Sequence, residues 1–243
     1  MKEMKTSNKL LLAVGIIPSI LIVGACVSLK IAFEGRTETK TTTTPSKSVI
    51  IREYRYSGFE KIMARGVWDI KISQGNDYFV EISAPEYAID SIVVTKKNGN
   101  LILDYYPDHE SSSYENMQKA NITVPSISNI YLKGACRLDL SEFSTDYLSV
   151  TADGETKMAA SNTSITNLDL VSHGISEWDL SKASIVNARI RADGTFSISL
   201  FMEGGRLFGA LDGVGTLTYD GAADVSDMKK KNPMSRIVYR NMP

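Results

Sequence analysis

The sequence predicts an all-β solenoid whose rungs are about twenty residues long. From residue 49 onward, apolar residues recur with period two and no stretch carries a convincing helical period. Gly134, Gly154, Gly174 and Gly194 are spaced by twenty, and Gly213 follows at nineteen. The residues flanking these glycines fall into columns of matching character. A rung of this size cannot bury its own apolar face, but stacked rungs can.

Composition sets the outer limits. The chain has 243 residues, with 27 Lys+Arg against 28 Asp+Glu, so no global field points to nucleic acid. With 43% hydrophobic and 23% charged residues it is a folding sequence and not a wholly disordered one. Two cysteines exclude a disulfide framework and a Cys-rich zinc module. Two histidines, His109 and His173, exclude a His-rich metal site. No cofactor is expected.

Residues 1–36 form a membrane anchor or signal segment. Lys2, Lys5 and Lys9 precede Leu10 to Leu29, a run without a charge. A helix of about twenty residues spans about 30 Å, the thickness of a hydrocarbon core. The flanking lysines keep the N-terminal end in the cytoplasm. Pro18 is tolerated in a lipid-embedded helix. Three readings stand. One is a retained single-pass anchor with the following domain facing the periplasm. The second is a lipoprotein: Val23-Gly24-Ala25-Cys26 resembles a lipobox, which would make Cys26 the lipidated residue of a surface-exposed outer-membrane protein. The third is an ordinary cleaved signal. The apolar character continues past Cys26 through Val27, Leu29, Ile31 and Phe33, which weighs toward the retained anchor. A buried soluble helix does not fit, because the run has no polar face. All three readings put the rest of the chain in the cell envelope or beyond.

Residues 37–50 are Thr/Ser-rich and read as a polar, extended stalk. Residues 51–240 are the folded domain. Strands are expected at Trp68–Ser73, Tyr78–Ile82 and Ile92–Thr95, then at Leu101–Tyr105 after an Asn98-Gly99-Asn100 turn. Residues 107–118 are polar and read as a loop, and Ala120–Pro125 as a strand. Residues 49–125 are expected to cap the N-terminal end of repeats running over about 127–225.

Each repeat has two strands and two turns. Before the glycine, the inward positions read Leu148, Val150, Ala152; Leu168, Leu170, Ser172; Ala188, Ile190, Ala192; and Leu207, Gly209, Leu211. After it they read Leu138, Leu140; Met158, Ala160; Trp178, Leu180; Ile198, Leu200; and Leu217, Tyr219. Gly134, Gly154, Gly174, Gly194 and Gly213 are the structural turn glycines, placed where a positive φ suits a tight turn. On the outward side, Lys133 faces Asp153, Lys157 faces Glu177, Asp169 faces Arg189, and His173 separates Asp153 from Asp193. Such pairs fix register on a solvated surface.

The opening Phe59, Ile62, Gly66, Trp68-Asp69-Ile70-Lys71-Ile72 and Gln74-Gly75, the following Val80-Glu81-Ile82 and Gly99-Asn100-Leu101-Ile102, the serial Gly turns and the closing Tyr219-Asp220-Gly221 form one pattern. In these residues the chain resembles the bacterial head GIN domain family, the putative auto-transporter adhesins common in Bacteroidetes, over about residues 58–240. That resemblance implies a right-handed parallel β-helix. It implies no catalytic residue, because the family has none established.

The remaining chemistry-bearing residues are few. Asp153, Glu155, Glu177, Asp179 and Asp193 cluster near successive turns beside Arg137, Arg189 and Arg191. A polysaccharide-active enzyme on a β-helix could use such a set, with two carboxylates at a fixed separation for glycoside hydrolysis. Acids on any solenoid surface give the same pattern. Cys136 shares a column with Thr156 and Ser176 and reads as a buried thiol. His173 reads as a turn residue, and His109 lies in an acidic loop. Tyr54, Tyr56, Tyr105, Tyr106, Tyr114, Phe201 and Phe208 are candidates for a glycan or protein surface. Lys229-Lys230-Lys231 reads as a solvated loop. The expected function is a non-enzymatic, membrane-tethered envelope module, a cell-adhesion protein binding a protein or glycan partner. The alternative is a periplasmic sensor or scaffold partnering a membrane protein. Self-association stays open, because solenoid ends and edge strands are sticky unless capped.

Overall fold

The computed structural model describes residues 48–105 and 117–240. The strands are β1 (Val49–Tyr54), β2 (Lys61–Gln74), β3 (Phe79–Pro85), β4 (Ile92–Lys97), β5 (Asn100–Tyr105), β6 (Gln118–Val124), β7 (Asn129–Ser141), β8 (Ser144–Leu211), β9 (Val214–Asp224), β10 (Met228–Lys230) and β11 (Ser235–Tyr239). One helical turn, α1 (Glu86–Ile89), interrupts them. The protein is thus nearly all β over these residues. The strands join in one sheet ordered β1-β3-β6-β2-β7-β8-β9-β11, with β5 and β4 attached beside β2 and β10 beside β8.

The twenty-residue spacing is a hydrogen-bonded register. β7 lies parallel to β8 with Gly134 opposite Gly154 and Leu138 opposite Met158. Within β8 the same offset continues: Lys157 reaches Glu177, Asn167 reaches Asn187, and His173 reaches Asp193. β9 follows at nineteen, with Thr195 opposite Val214. Because the pairing of β7 with β8 holds its offset of twenty straight through Gly134 and Gly154, the ladder does not stop at the corners. β8 therefore runs for 68 residues as one bent strand. Period-two burial follows from this: inward residues alternate with outward ones, and neighbouring segments stack at about 4.8 Å.

The glycines differ in detail from a loop between two strands. They are corners inside a continuous ladder, with φ +113, +125, +125 and +90 at Gly134, Gly154, Gly174 and Gly194. Gly213 has no positive φ. Its glycine is required instead by proximity, since a Cβ there would overlap the Gly194 carbonyl oxygen. Gly66 stands opposite Gly134 and begins the same column. At the far end the Ser235 hydroxyl donates to the Gly213 carbonyl at 2.7 Å.

The expected inward columns are buried except at Gly209 and Tyr219, which are half-buried; in the last segment the buried residue is Asp220, whose carboxylate accepts from Arg240 at 2.9 Å. A third inward stretch accompanies them: Phe143, Thr163 and Ala183, then Ile165 and Ile185, are also buried. Each segment therefore has three apolar stretches, not two. A second corner separates the last two, at Glu142 (φ 54) and Asn162 (φ 50). Neither of these two positions is a glycine, which is why the sequence pattern hides the corner.

The N-terminal part is more than a cap. β2 pairs with β7 along its length and is itself the first member of the ladder. The chain between β2 and β7 folds back beneath β2. β5 pairs with its first half and β6 with its second. β4 joins β5 as a hairpin through Asn98 (φ 51) and Gly99 (φ 73), the left-handed pair of a two-residue turn. β3 and then β1 add antiparallel strands beyond β6. One contiguous core runs through all of this, with Trp68, Trp178, Phe59 and Phe143 its largest fully buried side chains.

Candidate functional site

Outward residues are what a partner meets, and the ladder sorts them into columns. Along the glycine corner the residues just before Gly66, Gly134 and Gly154 stack in register, Arg65 opposite Lys133 and Lys133 opposite Asp153, and Asp104 of β5 lies opposite Arg65 on its other side. His173 and Asp193 continue the column, and Lys231 joins it through Asp212. At the upper end lies a cleft of about 370 Å³ lined by Val171, His173, Arg191, Asp193, Asp212 and Lys231.

Each basic side chain in the cleft has an acidic neighbour. His173 Nδ1 lies 2.8 Å from Asp193 Oδ2, Lys231 Nζ lies 3.3 Å from Asp212, and Arg191 donates to both Asp169 oxygens at 3.2 and 3.3 Å. Asp169 thus pairs with Arg191, not with the expected Arg189. Arg191 lies two residues further along the same outward face, within diagonal reach of a long side chain. The expected Lys157–Glu177 pair forms at 2.6 Å. Both members are largely exposed, so the pair is worth well under about 1 kcal/mol. This arrangement presents a charge-balanced, hydrogen-bonding surface.

The carboxylates serve the corners. Asp179 accepts from the Ser181 hydroxyl at 2.6 Å and from the Ser181 backbone N–H at 3.1 Å. The hydroxyl bond, first, holds this carboxyl below its ordinary range. A general acid needs the opposite shift. Among the described residues no three His, Cys, Asp or Glu side chains are grouped to hold a metal ion. A second recess, of about 500 Å³, lies at the corner that carries no glycine, beside Gln74, Glu142, Ser144, Ser164, Lys182 and Ser184.

Cys136 is fully buried, and burial pushes its thiol up to about 12. The thiolate is the reactive form, so a thiol reagent at pH 8 is expected to leave Cys136 unmodified in the folded protein and to modify it on unfolding. Mass spectrometry before and after denaturation reads this. Modification at the folded-state rate of a small-molecule thiol would refute it.

The aromatic candidates divide. Tyr105 is buried. Tyr54 and Tyr56 are half-buried and stacked at 6.2 Å, and the Tyr56 hydroxyl donates to the Val94 carbonyl. Phe208 lies beneath the Arg206 guanidinium, 5.3 Å from its carbon, while Phe201 is exposed. Lys229 and Lys230 are in β10, paired with Ala210 and Leu211, and not in a loop. Cys26, His109, Tyr106 and Tyr114 lie outside the described residues, as does the Leu10–Leu29 run. Among the described residues no helix is long and apolar enough to cross a membrane.

No curated protein matches the sequence. Several solved structures match it, three of them as follows. A putative adhesin of Bacteroides fragilis superposes with a TM-score of 0.58 at 20% identity, covering 81% of this chain and 99% of that one. A putative adhesin of Parabacteroides merdae gives 0.45 at 11% identity, covering 80% and 97%. A putative lipid binding protein of Parabacteroides distasonis gives 0.42 at 12%, covering 80% and 98%. The family model described as "Putative auto-transporter adhesin, head GIN domain" matches residues 58–223, from the approach to β2 almost to the end of β9. That span is well over half of the 243 residues, and the chain belongs to this family.

Proposed function

We propose that the protein is an envelope-displayed adhesive module: a β-solenoid domain carried on a Thr/Ser stalk and tethered to a membrane by residues 1–36. We read its twenty-residue segments as rungs of a right-handed parallel solenoid. The observation that carries this reading is the uniform outward ladder. Side chains repeat at about 4.8 Å along the ladder, and ionic groups there are matched within the surface, as at Arg191–Asp169, Lys231–Asp212 and Lys157–Glu177. Such a face suits an extended protein or glycan, held by many weak polar contacts rather than by one deep pocket. The adhesin descriptions of its relatives agree with binding in place of catalysis.

The test is labelling of lysines on intact cells of a native-type host with a membrane-impermeant reagent. Lys157 is expected to be modified to the same extent in intact and lysed cells. Modification only after the outer barrier is opened would refute surface display and point to the periplasmic scaffold. Intact mass alongside a Cys26→Ala variant reads the tether: an acyl mass lost in the variant identifies the lipoprotein, and an N-terminus at Met1 the retained anchor.

A further inference from the structure

We propose that the outer edge of β1 pairs with the β1 of a second copy of this chain, antiparallel, about a two-fold axis passing through Ile51. β1 ends the sheet path, and its strand partner among the described residues is β3. The Glu86 N–H donates to the Ser48 carbonyl, in register with Val49 opposite Pro85. An antiparallel ladder alternates, so Ser48, Ile50, Arg52 and Tyr54 turn their backbone groups to β3. The N–H and C=O groups of Val49, Ile51 and Glu53 therefore point to the open edge.

The same alternation puts the Val49, Ile51 and Glu53 side chains on one face, where Val49 and Ile51 are each 60% exposed. β1 has no proline and no bulge in its register with β3. Natural edges are usually blunted by such features or by lysines. Two of the other edges here carry lysines. β4 carries Lys96 and Lys97 and is covered at Val94 by the Tyr56 hydroxyl. β10 carries Lys229 and Lys230, and β11 carries Arg236.

Self-complementarity selects the partner and the register. With the axis through Ile51, Ile51 faces Ile51 of the second copy, and Val49 faces Glu53 in both directions. All three edge-facing residues of each copy are then satisfied, adding about six backbone hydrogen bonds. An axis through Arg52, whose guanidinium is held by Asp90 at 2.6 Å, would set Ile51 opposite Glu53 and leave Val49 opposite a residue beyond the end of β1. An isologous contact of this kind closes as a dimer and does not propagate into a fibre. One strand pair buries less than a standard interface of about 1,200–2,000 Å², so the pairing is weak in dilute solution and is favoured where copies are crowded on one surface. The register itself does not depend on the tether proposed above.

Cysteine crosslinking of the full chain, in whichever cell fraction holds it, tests this. A directly opposed, hydrogen-bonded pair has Cα atoms about 5.5 Å apart, within disulfide range. Under mild oxidation Ile51→Cys is expected to run mostly as a covalent dimer, while the wild type, with Cys26 and Cys136, and Val238→Cys on β11 stay largely monomeric. In the Ile51→Cys background, Val49→Glu sets like charges against Glu53 and is expected to abolish the dimer, and Val49→Lys to retain it. Ile51→Cys no more dimeric than the wild type would overturn the proposal, as would crosslinking indifferent to the sign of the charge at 49. The fraction in which the chain is found reports separately on the tether.

Discussion

Replacing Gly174 with alanine is expected to lower the stability of the domain by about 2–6 kcal/mol, combining about 1–3 for a non-glycine residue held at a positive φ with about 1–3 for overpacking. Gly174 has φ +125, and a Cβ built on it meets the Gly154 carbonyl oxygen closer than 3.0 Å, with the Gly154 carbon at 3.0 Å and nitrogen at 3.1 Å. All three obstacles are backbone atoms of the segment beneath, themselves locked in the ladder. No side chain can swing away to make room. The strain must spread into the pairing of the two segments, which is the interaction that holds a stack together. Gly99→Ala is the control: its φ is +73, but nothing lies within 4 Å of the added carbon. It should cost only the backbone term, about 1–2 kcal/mol. Urea unfolding reads both through the midpoint, with the slope checked for a change in cooperativity. Equal losses for the two variants would show that the carbonyl contact contributes nothing.

The same column shows how far the sequence could be read. Gly134 to Gly194 were legible because their spacing is regular and each precedes an apolar alternation. The column's second requirement, a carbonyl where a Cβ would go, is a contact between segments and leaves no separate mark in one of them. Gly66 belongs to the column but stands 68 residues before Gly134, because β3 to β6 are inserted between. Repeat spacing cannot reveal a neighbour displaced by an insertion, so β2 read as part of a cap. The third inward stretch was missed for a related reason. Its corner is turned by Glu142 and Asn162 in left-handed conformations, residues that carry no turn signature as strong as glycine's. Asp169 was assigned the residue directly above it, Arg189, whereas side-chain length lets the diagonal Arg191 reach it at 3.2 Å. Columns are thus readable from spacing, while diagonals depend on rotamers.

The open edge of β1 was illegible for a different reason. Val49-Ile-Ile51 reads as any β-strand would, and whether its far side is covered depends on a partner 26 to 36 residues away. The structure identifies that partner as β3 and leaves the Val49, Ile51 and Glu53 backbone groups on the other side. A surface that matches its own charges internally and an edge whose backbone groups have no strand partner among the described residues are complementary features. The first tolerates a solvated face without attracting copies of itself. The second concentrates self-recognition in six residues.

Trp178→Ala is expected to cost about 3–5 kcal/mol, the range for deleting a large buried aromatic. The indole is 2% exposed, and its Nε1–H donates to the Thr156 hydroxyl at 3.1 Å. Thr156 lies 3.5 Å from the Ser176 hydroxyl, which in turn contacts Ser172. These hydroxyls are buried beside the glycine corner, where the small side chains leave room for the indole from the next position along. Two contributions can be separated. Trp178→Phe keeps most of the packing and removes the N–H, and Thr156 retains Ser176 as a partner, so the loss should be nearer about 1 kcal/mol. Thr156→Val keeps the indole but strands its N–H in the core, at about 1–3 kcal/mol. If the N–H and the hydroxyl act as one unit, the double variant should lose less than the sum of the two. Trp68, the other tryptophan, stays in all of these proteins and serves as the fluorescence probe of unfolding. Trp178→Phe as damaging as Trp178→Ala would mean that the hydrogen bond, and not the filled volume, fixes this part of the core. The polar column would then be the element that holds neighbouring segments in register.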